Sequence, residues 1–249
     1  MITLNLEKSS LALKLSLEKK GLIKPPVIEV AIALDVSASF EDEHQSGITS
    51  DLLTRLAPWG LTFDPDQKLD VFTFSSGPEN AHHVGEMTAK NYQNFVRKRI
   101  INKVPGWGGA TDYSYVLGDI FQHFGHKLGA GGILGFLQRC LGGSQPKVAE
   151  AAGGRKRSVV FFITDGENND KGATRSLLSR AEREGCEVYV MFLGVSNQPG
   201  EFGFIEKLGE EFDNIGFLAI RDLKALVRMD DDALNELLLV PELLRWLDK

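Results

Sequence analysis

Cysteine is scarce in this sequence: Cys140 and Cys186 are the only two among 249 residues. They lack the CxxC spacing of redox or zinc motifs, and two cysteines do not make a disulfide framework. Cys186 precedes the apolar run EVYVMFLG, a context typical of a small buried side chain. The sequence therefore predicts no cysteine-based chemistry.

Long apolar runs are also missing. No stretch approaches the roughly 18 uninterrupted apolar residues that a membrane span needs. The opening MITLNLEKSS has no cationic region followed by an apolar one, so it does not resemble a signal peptide. We expect no membrane span and a cytoplasmic location.

An excess of positive charge is absent as well. The formal net charge of −6 argues against a general nucleic-acid binder, which normally presents a basic face. The basic stretch GGRKR has no interleaved aromatic residues. The segment GAGGILG faintly resembles a dinucleotide-binding loop, but it follows a polar GHK and not a buried strand. Nucleic-acid and nucleotide binding are therefore both disfavoured.

Residues 1–24 alternate leucine or isoleucine with polar residues in ITLNLEKSS and LALKLSLEKKG. A period of two is typical of half-buried strands, so this segment predicts an N-terminal β-hairpin followed by a stiff link at Pro25-Pro26. A lone hairpin is unstable in water. It would pack on the main domain or, alternatively, pair with another chain and form an oligomer.

From Val27 onward the pattern alternates between apolar strands and amphipathic helices. The runs VIEVAIALD, RSVVFFIT and CEVYVMFLGV predict strands covered on both faces, while AHHVGEM predicts a weaker edge strand. The segment SGITSDLLTRLAPWG predicts a helix that ends at Pro58 and Gly60. Together they predict an α/β fold, a Rossmann-like, doubly wound, mostly parallel sheet over residues 27–220. Residues 221–249 predict a helical segment interrupted near Pro241.

Residues 125–157 interrupt this alternation with many glycines and alanines. Glu150 is their only acid, against six lysines and arginines. We interpret this stretch as an inserted basic loop, either a solvated connection or a lid beside the site.

Hard oxygen ligands stand in three separate loops that follow predicted strands or precede a helix. The first loop carries Asp35, Ser37 and Ser39, the second carries Thr111, and the third carries Asp165. Each loop alone is an ordinary turn or helix cap. In a doubly wound sheet, however, all three meet beyond the carboxyl ends of the strands.

Hydroxyls and carboxylates without cysteine are the ligand set that suits Mg²⁺ or Mn²⁺. With two serine hydroxyls and a threonine hydroxyl in the shell, few direct ligands would be charged. The ion would then accept an acidic ligand from elsewhere. The glycines of GWGGATD matter because that loop must run close to the ion.

The order DVSAS, GGATD, ITDGEN resembles the metal-ion-dependent adhesion site of von Willebrand factor A (vWA) domains, whose pattern is DxSxS, then Thr, then Asp. The matching residues are Asp35, Ser37, Ser39, Thr111 and Asp165. The resemblance implies a vWA fold with Mg²⁺ at the upper edge of the sheet, Mn²⁺ and Ca²⁺ being alternatives.

The resemblance also implies roles for the residues. The serines would bind the ion directly, Thr111 directly or through water, and the aspartates often through water. Asp112 and Glu167 would adjust the site from just outside the ligand shell. A glutamate or aspartate of a protein partner would fill the open position.

The stretches LDVFTFSS, FFITDGENND and DDDALNELLLVPELLRWLDK are similar to vWA proteins of bacterial tellurium-resistance and stress-response (Ter) clusters. This resemblance implies a role in such a system. The lack of a cysteine site argues against direct detoxification of tellurite by this chain. Two departures are Ala38, where many relatives carry glycine, and the acidic run 41–43. That run would be a solvated turn or, alternatively, would raise the local metal affinity or occlude the site.

Two classes of function follow. The first is a metal-dependent protein-binding module without turnover. The second is a metal-dependent hydrolase or phosphatase with Asp35 as nucleophile, although the DxDx[TV] and GxSxG motifs are absent. His82 or His83 could act as its base, but adjacent strand residues face opposite ways. We favour the binding module and expect no enzymatic activity.

Overall fold

The computed structural model describes residues 2–128, 154–166, 168–196 and 202–249. The strands are β1 (Glu29–Asp35), β2 (Lys68–Phe74), β3 (His82–Thr88), β4 (Ser158–Thr164), β5 (Val188–Val195) and β6 (Ile215–Ile220). The helices are α1 (Leu6–Lys19), α2 (Glu41–Ser46), α3 (Ile48–Phe63), α4 (Phe95–Arg99), α5 (Ser114–His123), α6 (Lys171–Arg183), α7 (Gly203–Glu211), α8 (Leu223–Arg228), α9 (Asp231–Leu238) and α10 (Pro241–Leu247).

The six strands form one sheet in the order β3-β2-β1-β4-β5-β6. All neighbouring pairs are parallel except β2 and β3, which are antiparallel. The strand order reverses direction at β1 and β4, the switch point at which such sheets bind ligands. The predicted α/β, Rossmann-like fold is therefore confirmed, as is the edge position of the AHHVGEM strand.

Both faces of the sheet are covered, which explains the continuous apolar runs of its central strands. On one face Val30, Ile32 and Leu34 pack in a core that includes residues of α1, α3 and α8–α10. On the other face Ala31 and Ala33 pack in a core that includes residues of α5–α7. The small alanines leave room there for the aromatic side chains of the second core.

The edge strand β3 contains a bulge. Val71 pairs with Gly85, whereas the next residue, Phe72, pairs with His83. Val84 is therefore an extra residue with no pairing partner on β2, and Gly85 next to it has a φ of +118°. Residues directly opposite each other lie on the same face of a sheet, so the bulge determines which face His83 occupies.

The predicted N-terminal β-hairpin over residues 1–24 is wrong, because Leu6–Lys19 forms helix α1. The alternating leucines also fit a helical face on which Leu13 and Leu17 are buried, while Leu11 and Leu15 remain exposed. Residues 4–20 include no β-branched or aromatic residue, so helix propensity outweighs the alternation. The Asn5 side chain caps the helix by accepting a hydrogen bond from the Lys8 amide.

Helix α1 packs against α3 and α9 of the same chain. The described residues 2–24 therefore provide no hairpin through which two chains could pair their strands. Helix α1 contributes Leu13 and Leu17 to the same core as β1, and the predicted domain boundary near residue 24 stays a prediction.

The predicted end of a helix at Pro58 and Gly60 is also wrong, since α3 continues to Phe63. Proline costs one intrahelical hydrogen bond. Burial compensates for this cost, because Trp59 is 1% exposed and packs edge-on against Phe161 of β4. A Cβ on Gly60 would lie 2.4 Å from the Lys68 carbonyl oxygen, so glycine permits the close approach of α3 to β2.

Two other predicted segments have different outcomes. The C-terminal segment 221–249 is helical, as predicted, and Pro241 begins its last helix, where its missing N–H costs nothing. Most of the predicted insert 125–157 lies outside the described residues.

Within the described ranges, no helix is both long enough and apolar enough to cross a membrane.

The contact between α1 and α9 provides a stability prediction. The Ser9 hydroxyl donates to Asp231 Oδ2 at 2.8 Å, and Arg55 pairs with the other oxygen of Asp231 at 2.7 Å. Ser9→Ala should lower the free energy of unfolding by about 1–2 kcal/mol in a urea titration. Ser10→Ala is the matched control, because the buried Ser10 hydroxyl has no hydrogen-bond partner among the described residues. Equal losses in the two variants would contradict this assignment.

Candidate metal centre at the carboxyl edge of the sheet

The first and third polar loops leave the adjacent strands β1 and β4 at the same edge of the sheet. The second loop reaches them from the side. Ser37 forms an isolated parallel bridge with Gly109, and the Ala38 amide donates to the Gly109 carbonyl at 2.9 Å. The Gly108 amide donates to the Val36 carbonyl at 2.9 Å. These backbone bonds join the glycine-rich loop to the serine loop.

Asp35 ends β1 and is completely buried. Its Oδ1 accepts a hydrogen bond from the Ser37 amide at 2.8 Å, and its Oδ2 accepts one from the Thr164 hydroxyl at 2.7 Å. Each carboxylate oxygen retains a further lone pair. The carboxylate is therefore held rigidly between the serine loop and the end of β4, with capacity left to accept from a metal-bound water.

A chain of short oxygen contacts leads from the serine loop to the third loop. The Ser37 and Ser39 hydroxyl oxygens are 3.1 Å apart, and the Ser39 hydroxyl donates to Asp165 Oδ1 at 3.1 Å. Ser37 is buried, whereas Ser39 is exposed. The site therefore has a buried floor at Asp35 and Ser37 and an open side at Ser39.

Thr111 follows two residues after Gly109, which bridges to Ser37, and is 6% exposed. Its carbonyl accepts from the Asn169 amide at 2.8 Å, which ties the glycine-rich loop to the loop that follows Asp165. Asp112 is directed elsewhere: its Oδ2 accepts from the Gly77 amide at 2.9 Å and so holds the loop after β2. Glu167 lies outside the described residues. The metal-related roles of all three stay predictions.

The two carboxyl groups of the site have raised pKa values. Burial is the main cause for Asp35 and brings its pKa to about 6, although its hydrogen bonds oppose the rise. Burial followed by the negative charge of Asp35 raises the pKa of Asp165 to about 7. A raised pKa means that the ionised form lacks compensation in the protein alone. A cation at this place would supply that compensation.

His44 contacts the backbone of Asp35 and helps to hold the serine loop in place, a role that no sequence motif predicted. Its Nε2 is 2.8 Å from the Asp35 carbonyl oxygen, and its Nδ1 is 3.0 Å from the Thr49 hydroxyl oxygen. The ring is completely buried and contacts the ring of Trp107 in the glycine-rich loop, with centroids 5.3 Å apart. Burial lowers the pKa of His44 to about 4, so it is neutral at pH 7.

Asp170 is a second supporting residue that the motifs did not reveal. Its carboxylate accepts from the amides of Tyr113 and Ser114 at 3.0 and 2.9 Å, which anchors the start of α5. These hydrogen bonds hold the pKa of Asp170 below its usual value despite burial. The Tyr113 hydroxyl is in turn 3.1 Å from Thr164 Oγ1, the same atom that donates to Asp35.

The donor set fits a small divalent cation. Ligands 2.0–2.1 Å from an octahedral Mg²⁺ lie about 2.9 Å from their neighbours, and the Ser37–Ser39 and Ser39–Asp165 contacts are both 3.1 Å. All the donors are oxygen atoms, as hard cations prefer. Asp35 and Asp165 supply the negative charge that such an ion requires, and a bound cation would favour their ionised forms.

The stability of the metal-free protein should depend on pH through these carboxyls. Well below pH 3.8 these carboxyls are protonated in both the folded and the unfolded state, so they do not change the free energy of unfolding. Between pH 4 and 7 the unfolded chain, with a normal Asp pKa of 3.8, ionises before the folded protein, so stability falls as pH rises. We therefore expect the Tm of the wild type in EDTA to fall relative to that of Asp35→Asn across this range.

The comparison with Asp35→Asn is necessary because Asp64, with a pKa of about 7 raised mainly by burial, contributes a similar slope elsewhere. Subtracting the Tm of the variant at each pH removes that slope and leaves the contribution of Asp35, including its effect on the pKa of Asp165. Parallel curves from pH 4 to 7 would show that Asp35 does not titrate as described.

The fold and the arrangement of Asp35, the two serines and Asp165 define a vWA-like domain, a class that often binds a divalent metal. The family model vWA-TerF-like, described as the vWA found in the TerF C terminus, matches residues 27–134 and 146–249. The chain belongs to this family. It is also 26% identical over 246 residues to the uncharacterized protein YcbR of Bacillus subtilis (strain 168), covering 96% of this chain and 84% of YcbR.

Solved structures support the same fold. Proximal thread matrix protein 1 from the mussel byssus aligns with a TM-score of 0.51 at 17% identity, covering 86% of this chain and 48% of its own. The pilus adhesin SpaC from Lactobacillus rhamnosus GG aligns with a TM-score of 0.52 at 12% identity, covering 86% and 30%. The chain thus spans about half of one protein and under a third of the other. At these identities the similarity shows the fold alone.

Proposed function

We propose that this chain is a metal-dependent protein-binding module of a bacterial tellurium-resistance or stress-response system. The observation that carries the proposal is the contact chain from Ser37 through Ser39 to Asp165 above the buried Asp35. Membership of the vWA-TerF-like family supports the Ter context. A cytoplasmic location is part of the same proposal.

The residues of the site would have different roles in binding the metal ion. Ser37, Ser39 and Thr111 would hold Mg²⁺ through their hydroxyl oxygens, and Asp35 and Asp165 would supply negative charge, directly or through water. When bound, the ion supplies an electrophilic coordination position. Ser39 lies on the exposed side, so a carboxylate of a partner protein would approach from there. No bond in the partner needs to be made or broken.

The alternative function, a hydrolase or phosphatase, requires an accessible nucleophile. Asp35 is 0% exposed, and both of its carboxylate oxygens accept hydrogen bonds from the protein. This environment disfavours attack on a substrate, which supports a binding role over catalysis. Turnover of a generic phosphate ester that disappears in Asp35→Asn would reverse this preference.

The proposal is tested by affinity capture from the native bacterial extract in the presence of Mg²⁺ or EDTA. A partner that depends on the metal centre should bind the wild type in Mg²⁺, but neither the wild type in EDTA nor Asp35→Ala in Mg²⁺. Asp42→Ala is the matched control, since Asp42 is an exposed acid in α2, just after the serine loop. The same proteins captured under all four conditions would refute a metal-dependent binding module.

A further inference from the structure

A second group of metal-ligand side chains lies away from the metal centre described above. Asp70 of β2, His83 of β3 and His123 of α5 bring their ligand atoms within 4.8 Å of one another. His83 Nε2 is 2.9 Å and His123 Nε2 is 3.4 Å from the same oxygen, Asp70 Oδ1. Asp70 lies four residues before Phe74, which pairs with Asp35, so about 13 Å of strand separates the two groups.

The bulge in β3 creates this group. Asp70 and Phe72 lie on the face of β2 that α5 covers, and Phe72 contacts the rings of both His83 and His123. Without the bulge, regular pairing would place Val84 opposite Phe72 and turn His83 to the other face. Bulges often redirect a side chain in this way next to functional sites. Here the bulge brings His83 to Asp70, with the His83 and His123 rings 4.8 Å apart.

The carboxylate of Asp70 has unused capacity. Asp70 is 1% exposed, and among the described residues its Oδ2 has no hydrogen-bond partner. The Lys68 ammonium lies 3.3 Å from Oδ2, but it also pairs with Glu86 at 2.8 Å. A buried carboxylate oxygen without a hydrogen bond is costly unless a cation compensates it. The two histidines are about one third exposed, so an ion can reach the group from solvent.

We propose that Asp70, His83 and His123 form a second cation site, specific for a divalent first-row transition ion such as Zn²⁺. Ligands 2.0–2.1 Å from a tetrahedral Zn²⁺ lie about 3.3 Å apart. The two histidine nitrogens are 2.9 and 3.4 Å from Asp70 Oδ1, and all three ligand atoms lie within 4.8 Å of one another. Two imidazoles and one carboxylate, with the fourth position open to water, are a common zinc ligand set. Imidazole ligands favour such ions over Mg²⁺, so the two centres differ in metal preference.

A purely structural role is the competing explanation. In that case the histidines donate hydrogen bonds to an ionised Asp70, and Lys68 completes the charge balance. The hydrogen bonds of His123 and His83 and the charge of Lys68 hold the pKa of Asp70 far below its usual range, although burial opposes this. The two explanations predict different effects of removing the Lys68 charge. If a metal ion binds Asp70, the Lys68 ammonium competes with it for the same carboxylate, so loss of the ammonium should strengthen metal binding.

The test is isothermal titration calorimetry of the full chain with Zn²⁺, in excess Mg²⁺ after chelator treatment. The wild type should bind one equivalent, and His83→Gln and His123→Gln should each weaken binding at least about tenfold. Lys68→Gln should strengthen it severalfold. His82→Gln is the matched control, because His82 pairs with Thr73 on the opposite face, and Asp35→Ala should also leave Zn²⁺ binding unchanged.

Circular dichroism of each variant confirms that it folds, which is expected for substitutions of partly exposed histidines. Absence of saturable Zn²⁺ binding would overturn the proposal. Equal affinity in the wild type and both histidine variants would also overturn it, since the ion would then be bound elsewhere. Unchanged or weaker binding by Lys68→Gln would contradict a direct contact between the ion and Asp70.

Discussion

Mg²⁺ at about 100 times its Kd is expected to raise the Tm of the wild-type protein by about 5–11 °C and that of Asp35→Ala not at all. Binding to the folded state alone at this concentration stabilises it by about 2.7 kcal/mol, and 1 kcal/mol shifts the Tm of a chain of this size by about 2–4 °C. Asp35 is decisive because its carboxylate both orients the Ser37 amide and supplies charge beneath the site. Differential scanning calorimetry with Mg²⁺ and with EDTA measures the shift.

The relevant quantity is the increment caused by Mg²⁺ and not the absolute Tm, because removal of a buried carboxylate changes stability by itself. Asp35→Asn keeps the size of the side chain and should also lose the increment. Asp42→Ala should retain it. A wild type that does not respond to Mg²⁺, or an Asp35→Ala variant that responds fully, would exclude a Mg²⁺ centre at this position.

Gly106→Ala is expected to lower the free energy of unfolding by about 2–5 kcal/mol and to weaken the Mg²⁺ response. Gly106 has a φ of +71°, which costs a non-glycine residue about 1–2 kcal/mol. An added Cβ would also lie 2.1 Å from the Ser75 hydroxyl oxygen and 2.6 Å from Asn80 side-chain atoms. Relief of this overlap would displace the loop that carries Thr111, at a further cost of about 1–3 kcal/mol.

Gly108 is a matched control for this substitution. Its φ of +76° is nearly the same, but an added Cβ would meet no atom within 4 Å. Gly108→Ala should therefore cost only about 1–2 kcal/mol and leave the Mg²⁺ response intact. Urea titrations of both variants separate the backbone cost from the packing cost. Equal losses would show that Gly106 contributes through its backbone conformation alone.

The parts of the fold that the sequence reveals are those in which local pattern and burial agree. The apolar runs that end at Asp35 and Thr164 become neighbouring buried strands, because only a sheet covered on both faces suits them. The DVSAS and ITDGEN loops then meet by topology alone. The supporting residues His44 and Asp170 were not predictable, since their contacts join segments far apart in the chain and follow no local spacing.

The failed predictions share a physical cause, which is that a short pattern has more than one three-dimensional solution. The alternating leucines of residues 11–17 fit a strand face, yet Leu13 and Leu17 fit a helix face equally well. Pro58 normally ends a helix, but burial of Trp59 and Phe63 keeps α3 intact beyond it. In both cases tertiary packing outweighs the local signal.

The bulge at Val84 has a consequence for solubility. A long, flat edge strand offers its free N–H and C=O groups to other chains and promotes aggregation. The shifted register twists β3, and Lys68 and Glu86 place a charged pair across the β2–β3 ladder. The same extra residue that directs His83 toward Asp70 therefore makes this edge a poor template for a strand from a second copy.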